Sequence, residues 1–350
     1  MRKLILLCFS IVLLAGCGGG GSNSSFHPPS YRKVSFSAIR MLDLPAEDLI
    51  YSRTTGLLYA SVRDTGSEYS NTVAAIDLVS GSVVKSAPVG NNPTILALSD
   101  DSHYLYVATD NTITRLETAT LQVGTSFSLG DEPWGRGPMD AKDMEVLPGK
   151  PESVVVSLMN EGYSPETYAI AIFDNGVRRT TMTSILPGVS IFALDPSDPS
   201  CLLGGDLDST EFGLYKLRVT EEGISIEEHT PDVFHVPADD IKIAGGLMYT
   251  SAGDVVDPVS KTWLRWVQPT VCGVEPDLDK GLVYALAWDS PWLEEMFLRA
   301  FDIETNGRVA SVSVEEIVHG FPKAIVKWGE DGLAFTEGNN VYLLSVVVSS

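Results

Sequence analysis

The chain has 350 residues, 46 of them acidic and 24 basic, for a formal net charge of −22. That balance excludes nucleic acid and acidic lipid surfaces as partners, because phosphate contacts need Lys and Arg in excess. Once the leader and tether described next are set aside, about 325 residues remain, enough for one large repeat domain or two ordinary ones, and no second linker divides them.

The chain opens with Arg2 and Lys3, then an apolar stretch over residues 4–15 broken only by Ser10. This has the proportions of a signal peptide and is too short to span a bilayer, which takes about 20 apolar residues. Leu14-Ala15-Gly16-Cys17 resembles a bacterial lipobox, which implies cleavage after residue 16 and a diacylglycerol on the Cys17 thiol. Two or three acyl chains would hold the protein on a membrane stably, as one chain would not. The segment is therefore expected to divide into a lipoprotein signal (1–16) and a lipidated cysteine with its linker (17–32), ahead of a domain spanning 33–350. Residues 18–25, GGGGSNSS, cannot bury apolar area and behave as a flexible tether reaching roughly 15 Å. The expected address is the cell envelope, on the periplasmic face of the outer membrane in a Gram-negative host, since Gly18 and not an aspartate follows the cysteine. Cys8 leaves with the signal, so Cys201 and Cys272 are the remaining thiols, two residues that make no disulfide framework.

Residues 34–41 read as a strand, and beyond them a short apolar segment recurs seven times. Aligning Tyr59, Tyr106, Val155, Leu203, Tyr249, Tyr284 and Phe335 gives spacings of 47, 49, 48, 46, 35 and 51 residues, the period of a four-stranded propeller blade. Each copy follows a strand and a turn rich in Asp, Gly, Pro or Ser, such as Ser99-Asp100-Asp101-Ser102, and so reads as the second strand of its unit. Most are followed by a third strand ending in an acidic residue, as in Ala74-Ala75-Ile76-Asp77 and Ala300-Phe301-Asp302. The last unit stops one strand short, and residues 34–41 supply a spare strand. The expected fold is all-β: a seven-bladed β-propeller closed by an N-terminal strand in the last blade, which removes the free edges of an open ring.

Asn71-Thr72-Val73, Ile76-Asp77, Val89-Gly90 and Pro93, followed by Ser99-Asp100-Asp101 and Leu105-Tyr106-Val107-Ala108, resemble the YVTN or YncE-type repeat, closely over residues 48–130 and faintly elsewhere. The resemblance implies a seven-bladed propeller. It implies little about activity, because propellers host binders, scaffolds, lactonases and quinoproteins.

No Gly-x-Ser-x-Gly elbow, His-Glu-x-x-His, Walker loop or paired CxxC is present. His103 falls in a hairpin turn and His229, His235 and His319 in loops, where structural or exposed roles are expected. The loops entering the first strand of each blade point at the central channel and carry Glu47 with Asp48, Asn92, Asp140, and Asp239 with Asp240. Glu47, Asn92, Asp140 and Asp240 are candidate oxygen ligands for Ca²⁺, in the manner of lactonases that polarise an ester carbonyl with a divalent ion. The competing expectation is that Asp and Asn simply bond their own turns. Asp206-Leu207-Asp208 reads as a solvated acidic loop.

The loops between second and third strands lie on the same face and are long in blades three (residues 159–168) and six (288–296). Trp134 of the entrance loop 130–138, Tyr163, Trp292 and Leu293 are the candidate recognition residues, since large aromatics on loops supply most hot-spot energy. The leading expectation is a non-enzymatic binding or scaffolding lipoprotein recognising a protein or envelope polymer, with no cofactor. Its rival is a metal-assisted hydrolase of the lactonase kind, with the divalent ion at the channel.

Overall fold

Each of the seven apolar repeats forms the second strand of a four-stranded antiparallel sheet, and the seven sheets make a β-propeller. The computed structural model describes residues 33–133, 135–163, 166–183, 188–269, 271–288, 296–314 and 324–349, and these residues contain no helix. The inner strands, from blade 1 to blade 7, are Ala46–Ser52, Leu96–Leu98, Asp140–Val146, Ile191–Leu194, Ile241–Ala244, Val271–Asp277 and Ile325–Trp328. Each packs beside the inner strand of the next blade, and that of blade 7 lies against that of blade 1.

A propeller blade is covered on both faces, so its middle strands lose the polar/apolar alternation of a surface sheet. Ser153–Met159 is buried along its whole length, and Thr167–Asp174 along all but its last residue. The outer strands alternate instead, as in Thr262–Trp266. The buried side chains gather into seven clusters, one at each interface between neighbouring blades. The aligned repeat residues sit in these clusters: Tyr59 lies between blades 1 and 2, and Phe335 between blades 6 and 7.

Two of the repeat tyrosines also bond across the interfaces they fill. Tyr59 OH donates to the carbonyl of Thr118 in blade 2 at 3.0 Å, and Tyr106 OH to that of Pro151 in blade 3 at 2.9 Å. A buried hydroxyl without a partner would be costly, so each ring is tied to one geometry.

The sheet of blade 7 has the order Lys33–Asp43, Asn340–Ser349, Gly332–Glu337, Ile325–Trp328. Lys33–Asp43 pairs antiparallel with Asn340–Ser349, from Lys33 opposite Ser349 to Asp43 opposite Asn340, with a bulge between Ser37 and Arg40. Ala38 takes a positive φ of 53° in that bulge, which re-aims the strand midway. Within the same blade the Trp328 ring lies across Gly332, where a Cβ would meet Trp328 Cδ2 at 2.1 Å. Trp328 is thus a packing residue, as its place beside the 329–332 turn suggests.

Blade 3 is the irregular one. Its outer strand is only Val177–Arg178, and the chain then forms a bridge between Thr181 and Gly223 of blade 4. Gly223 has φ +150°, and a Cβ there would lie 1.8 Å from the Thr181 carbonyl oxygen. Among the described residues no helix is long and apolar enough to cross a membrane. Residues 1–32, with the expected signal, Cys17 and the tether, lie outside the described residues.

Candidate functional site

The inner strands begin on one face of the ring, here the mouth face, and run down the central channel. Alternate residues of a strand point the same way, so an inner strand with acidic residues two apart turns both into the channel. Asp143 and Glu145 are such a pair, and Asp48, Lys242 and Glu275 join them from blades 1, 5 and 6.

Two of these carboxylates clasp neighbouring blades. Asp48 sits at a bulge and accepts the N–H of Leu49 at 2.7 Å and that of Leu96, on the inner strand of blade 2, at 2.9 Å. Asp143 repeats the arrangement from a bulge in blade 3, accepting from Met144 at 2.8 Å and from Phe192 of blade 4 at 2.7 Å. The residues opposite them, Ser61 and Ser157, donate to the carbonyls of Thr94 and Val189 in those same next blades. Blades 5, 6 and 7 are joined by a cation: Lys242 Nζ donates to Glu275 and, at 2.5 Å, to the carbonyl of Ile325.

The channel carboxyls hold protons unusually well. Burial pushes Asp48 up to about 6 against the pull of its two N–H bonds, and pushes Asp143 up to about 7 with Asp240 adding to it. Glu145 has no hydrogen-bond partner among the described residues, and burial followed by the charges of Asp143, Asp240 and Asp48 pushes it up to about 8. For Lys242, burial opposes the charge, but Glu275 and Asp240 outweigh it and hold the pKa above the ordinary Lys value. Below these groups, a cavity of about 340 Å³ is lined by Glu145, Leu194, Pro196, Lys242, Glu275 and Pro276. Several of these residues come from the ends of their inner strands, so the cavity is the lower half of the channel.

The four residues expected to ligate a metal each make a local contact. Glu47 pairs with Arg63 at 2.9 Å, and Asn92 Nδ2 donates to Asp110 at 3.2 Å. Asp140 accepts the Asn111 N–H at 2.7 Å, and Asp240 lies 3.8 Å from Lys242. Among the described residues no group of three or more His, Cys, Asp or Glu is placed to hold one metal ion. Cys201 and Cys272 are free, and burial pushes their thiols up to about 11 and about 12, so neither is a nucleophile near neutral pH.

Of the four recognition candidates, Tyr163 is described and is 41% exposed; Trp134, Trp292 and Leu293 lie outside the described residues. Tyr163 meets the entrance loop 130–138 through Arg136, whose guanidinium carbon is 4.7 Å from the ring centroid. That loop is tied down: Glu132 N donates to Gly137 O at 2.8 Å, Met139 N to Gly130 O at 2.9 Å, and Asn160 Nδ2 to Pro138 O at 2.9 Å. The two mouth-face insertions of blade 3 therefore form one surface.

Two sequence expectations change. His229 lies not in a loop but in the strand Ile224–Thr230, stacked 4.3 Å from the Tyr215 ring, because its side chain fills the space beside Gly213. Asp206 is not solvated: the 206–213 loop folds back on blade 4 and leaves Asp206 4% exposed. The chain matches no protein-family model and none of the curated proteins. Sequence reasoning missed Asp143, Glu145, Lys242 and Glu275 as channel residues, although acidic residues two apart in a strand were the available signal.

Proposed function

We propose that this chain is a non-enzymatic binding or scaffolding propeller of the YVTN type, lipid-anchored at Cys17 in the cell envelope, recognising a protein or envelope polymer through its mouth face. In this reading the tether 18–25 gives the ring freedom above the membrane, and Lys33–Asp43 latches the ring by completing the last blade. The observation that carries it is the Tyr163–Arg136 contact. An exposed aromatic ring beside a guanidinium, on two loops longer than the fold requires, places an apolar ring face and a positive charge together. Asp48 and Asp143 are accounted for structurally in this reading, since each holds its blade to the next.

The test is site-specific photo-crosslinking in the native membrane. A probe at residue 163 is expected to give one reproducible adduct, of protein or of envelope polymer, that a probe at the exposed outer residue Val259 does not give. An empty lane at 163, or the same ladder from both positions, would overturn the assignment of the face.

A further inference from the structure

The loop between the second and third strands of blade 4 holds two carboxylates in an unusual state. Asp206 is more than nine-tenths buried; its Oδ2 accepts the Ser209 hydroxyl at 2.6 Å, while its buried Oδ1 has no partner. Asp208 mirrors it. Its Oδ2 accepts the Thr167 hydroxyl of blade 3 at 2.7 Å, and its Oδ1 is also buried and without a partner. The two side chains lie within hydrogen-bonding reach of each other. Glu211, the third acid of the loop, is already used, accepting from Tyr215 OH at 2.6 Å and facing His229 Nε2 at 2.9 Å.

Two neighbouring carboxylates that each keep a buried oxygen without a donor are costly, and the state is relieved by a shared proton or by a cation. Burial first, then the charges of Asp208 and Glu211, push Asp206 up to about 6 against the Ser209 bond. No Lys or Arg among the described residues reaches the two carboxylates. The available donors are all oxygen, which suits a hard cation. Ca²⁺ accepts six to eight oxygens and fills its sphere from carboxylates, carbonyls, hydroxyls and water, so a site need not offer three carboxylates.

We propose that Asp206 and Asp208 bind a divalent cation of the Ca²⁺ class through their two Oδ1 atoms. The site is separate from Glu47, Asn92, Asp140 and Asp240 at the channel, and does not depend on the proposed partner. Because Thr167 belongs to blade 3, the ion would also fix the 206–213 loop against the neighbouring blade on the mouth face.

The experiment is thermal melting and calorimetric titration of the full-length protein in detergent, stripped with EDTA and then given CaCl₂ alone at about pH 7.5. One ion is expected per chain, with a Kd of about 0.1–1 mM as in extracellular Ca²⁺ modules, and a melting temperature that rises with Ca²⁺. Asp206→Asn and Asp208→Asn should each weaken the response at least about tenfold, while Asp140→Asn leaves it unchanged. Wild-type protein unresponsive to about 10 mM Ca²⁺ overturns the proposal, as does a response that survives both substitutions. A melting temperature that rises only as pH falls through about 6, whatever the Ca²⁺, assigns the pair to a shared proton and also overturns it. Should the Asn variants not fold, anomalous scattering from wild-type crystals grown with Sr²⁺ decides: a peak between the two Oδ1 atoms supports the site, and its absence there refutes it.

Discussion

Glu145 sits partly buried in the channel wall with no hydrogen-bond partner among the described residues. A carboxyl whose pKa is higher folded than unfolded takes up protons on folding, so its ionisation destabilises the fold, and the penalty is relieved as pH falls. For Glu145 the window runs from about 8 down to its ordinary value of 4.5, and Asp143 at about 7 acts in the same direction. The melting temperature should therefore rise as the buffer is taken from about pH 8.5 to about pH 5.5. Glu145→Gln should flatten that slope and stabilise the protein by about 1–2 kcal/mol at the alkaline end, read by urea denaturation at several pH values. An unchanged slope would mean that the channel solvates the carboxylate fully. A second residue-scale expectation contrasts two repeat tyrosines. Tyr59→Phe deletes the bond to Thr118 O and should cost about 1 kcal/mol, whereas Tyr249→Phe, which loses no bond to a described residue, should fall within about 0.5 kcal/mol of wild type.

At the scale of elements, the strand Lys33–Asp43 contributes both backbone pairing and burial to blade 7. Val34 and Leu42 are buried, and the Phe36 ring packs edge-on to Tyr284 with centroids 6.4 Å apart. Removing residues 33–43 should cost about 3–6 kcal/mol from the Val34 and Leu42 side chains alone. It would also expose the ten-residue strand Asn340–Ser349 as a free edge, so early melting together with aggregation is expected. A truncation that melts like the full chain and stays monodisperse by light scattering would show that the interface between blades 7 and 1 holds the ring without this strand. The short outer strand of blade 3 shows the limit of reading elements from sequence. Val177–Arg178 is an exposed edge with no apolar run to mark it, and its neighbourhood is set by the bridge from Thr181 to Gly223 in the next blade.

For the whole molecule, the described residues pack into seven interface cores, and among them no helix is long and apolar enough to cross a membrane. Cys17→Ser should leave a folded protein that moves from the membrane pellet to the soluble fraction, with a melting temperature within about a degree of wild type. Retention in the pellet after an alkaline wash would remove the lipid anchor from the proposed function. The strong negative charge of the whole chain bears on partners at the same scale: a basic protein surface should associate faster at low ionic strength than an acidic one.

The number of blades was legible because a strand buried on both faces is mostly apolar and loses the polar/apolar alternation, a pattern that recurs whenever a blade does, so Tyr59, Tyr106, Val155, Leu203, Tyr249, Tyr284 and Phe335 could be aligned without any contact being known. Antiparallel order within each blade followed from the short turns between those runs. Which polar groups share a site was not legible, because that depends on the ring bringing together strands 48 to 83 residues apart. Asp48 meets Leu96, Asp143 meets Phe192, and Lys242 meets Ile325 only once the inner strands stand side by side. Burial of Asp206 has the same origin. A loop of Asp, Ser and Thr reads as solvated in one dimension, and only its folding against Thr167 of another blade takes its carboxylates out of water. Local periodicity thus determined the architecture, while the state of each charged group was decided by the dielectric and neighbours that tertiary packing supplies.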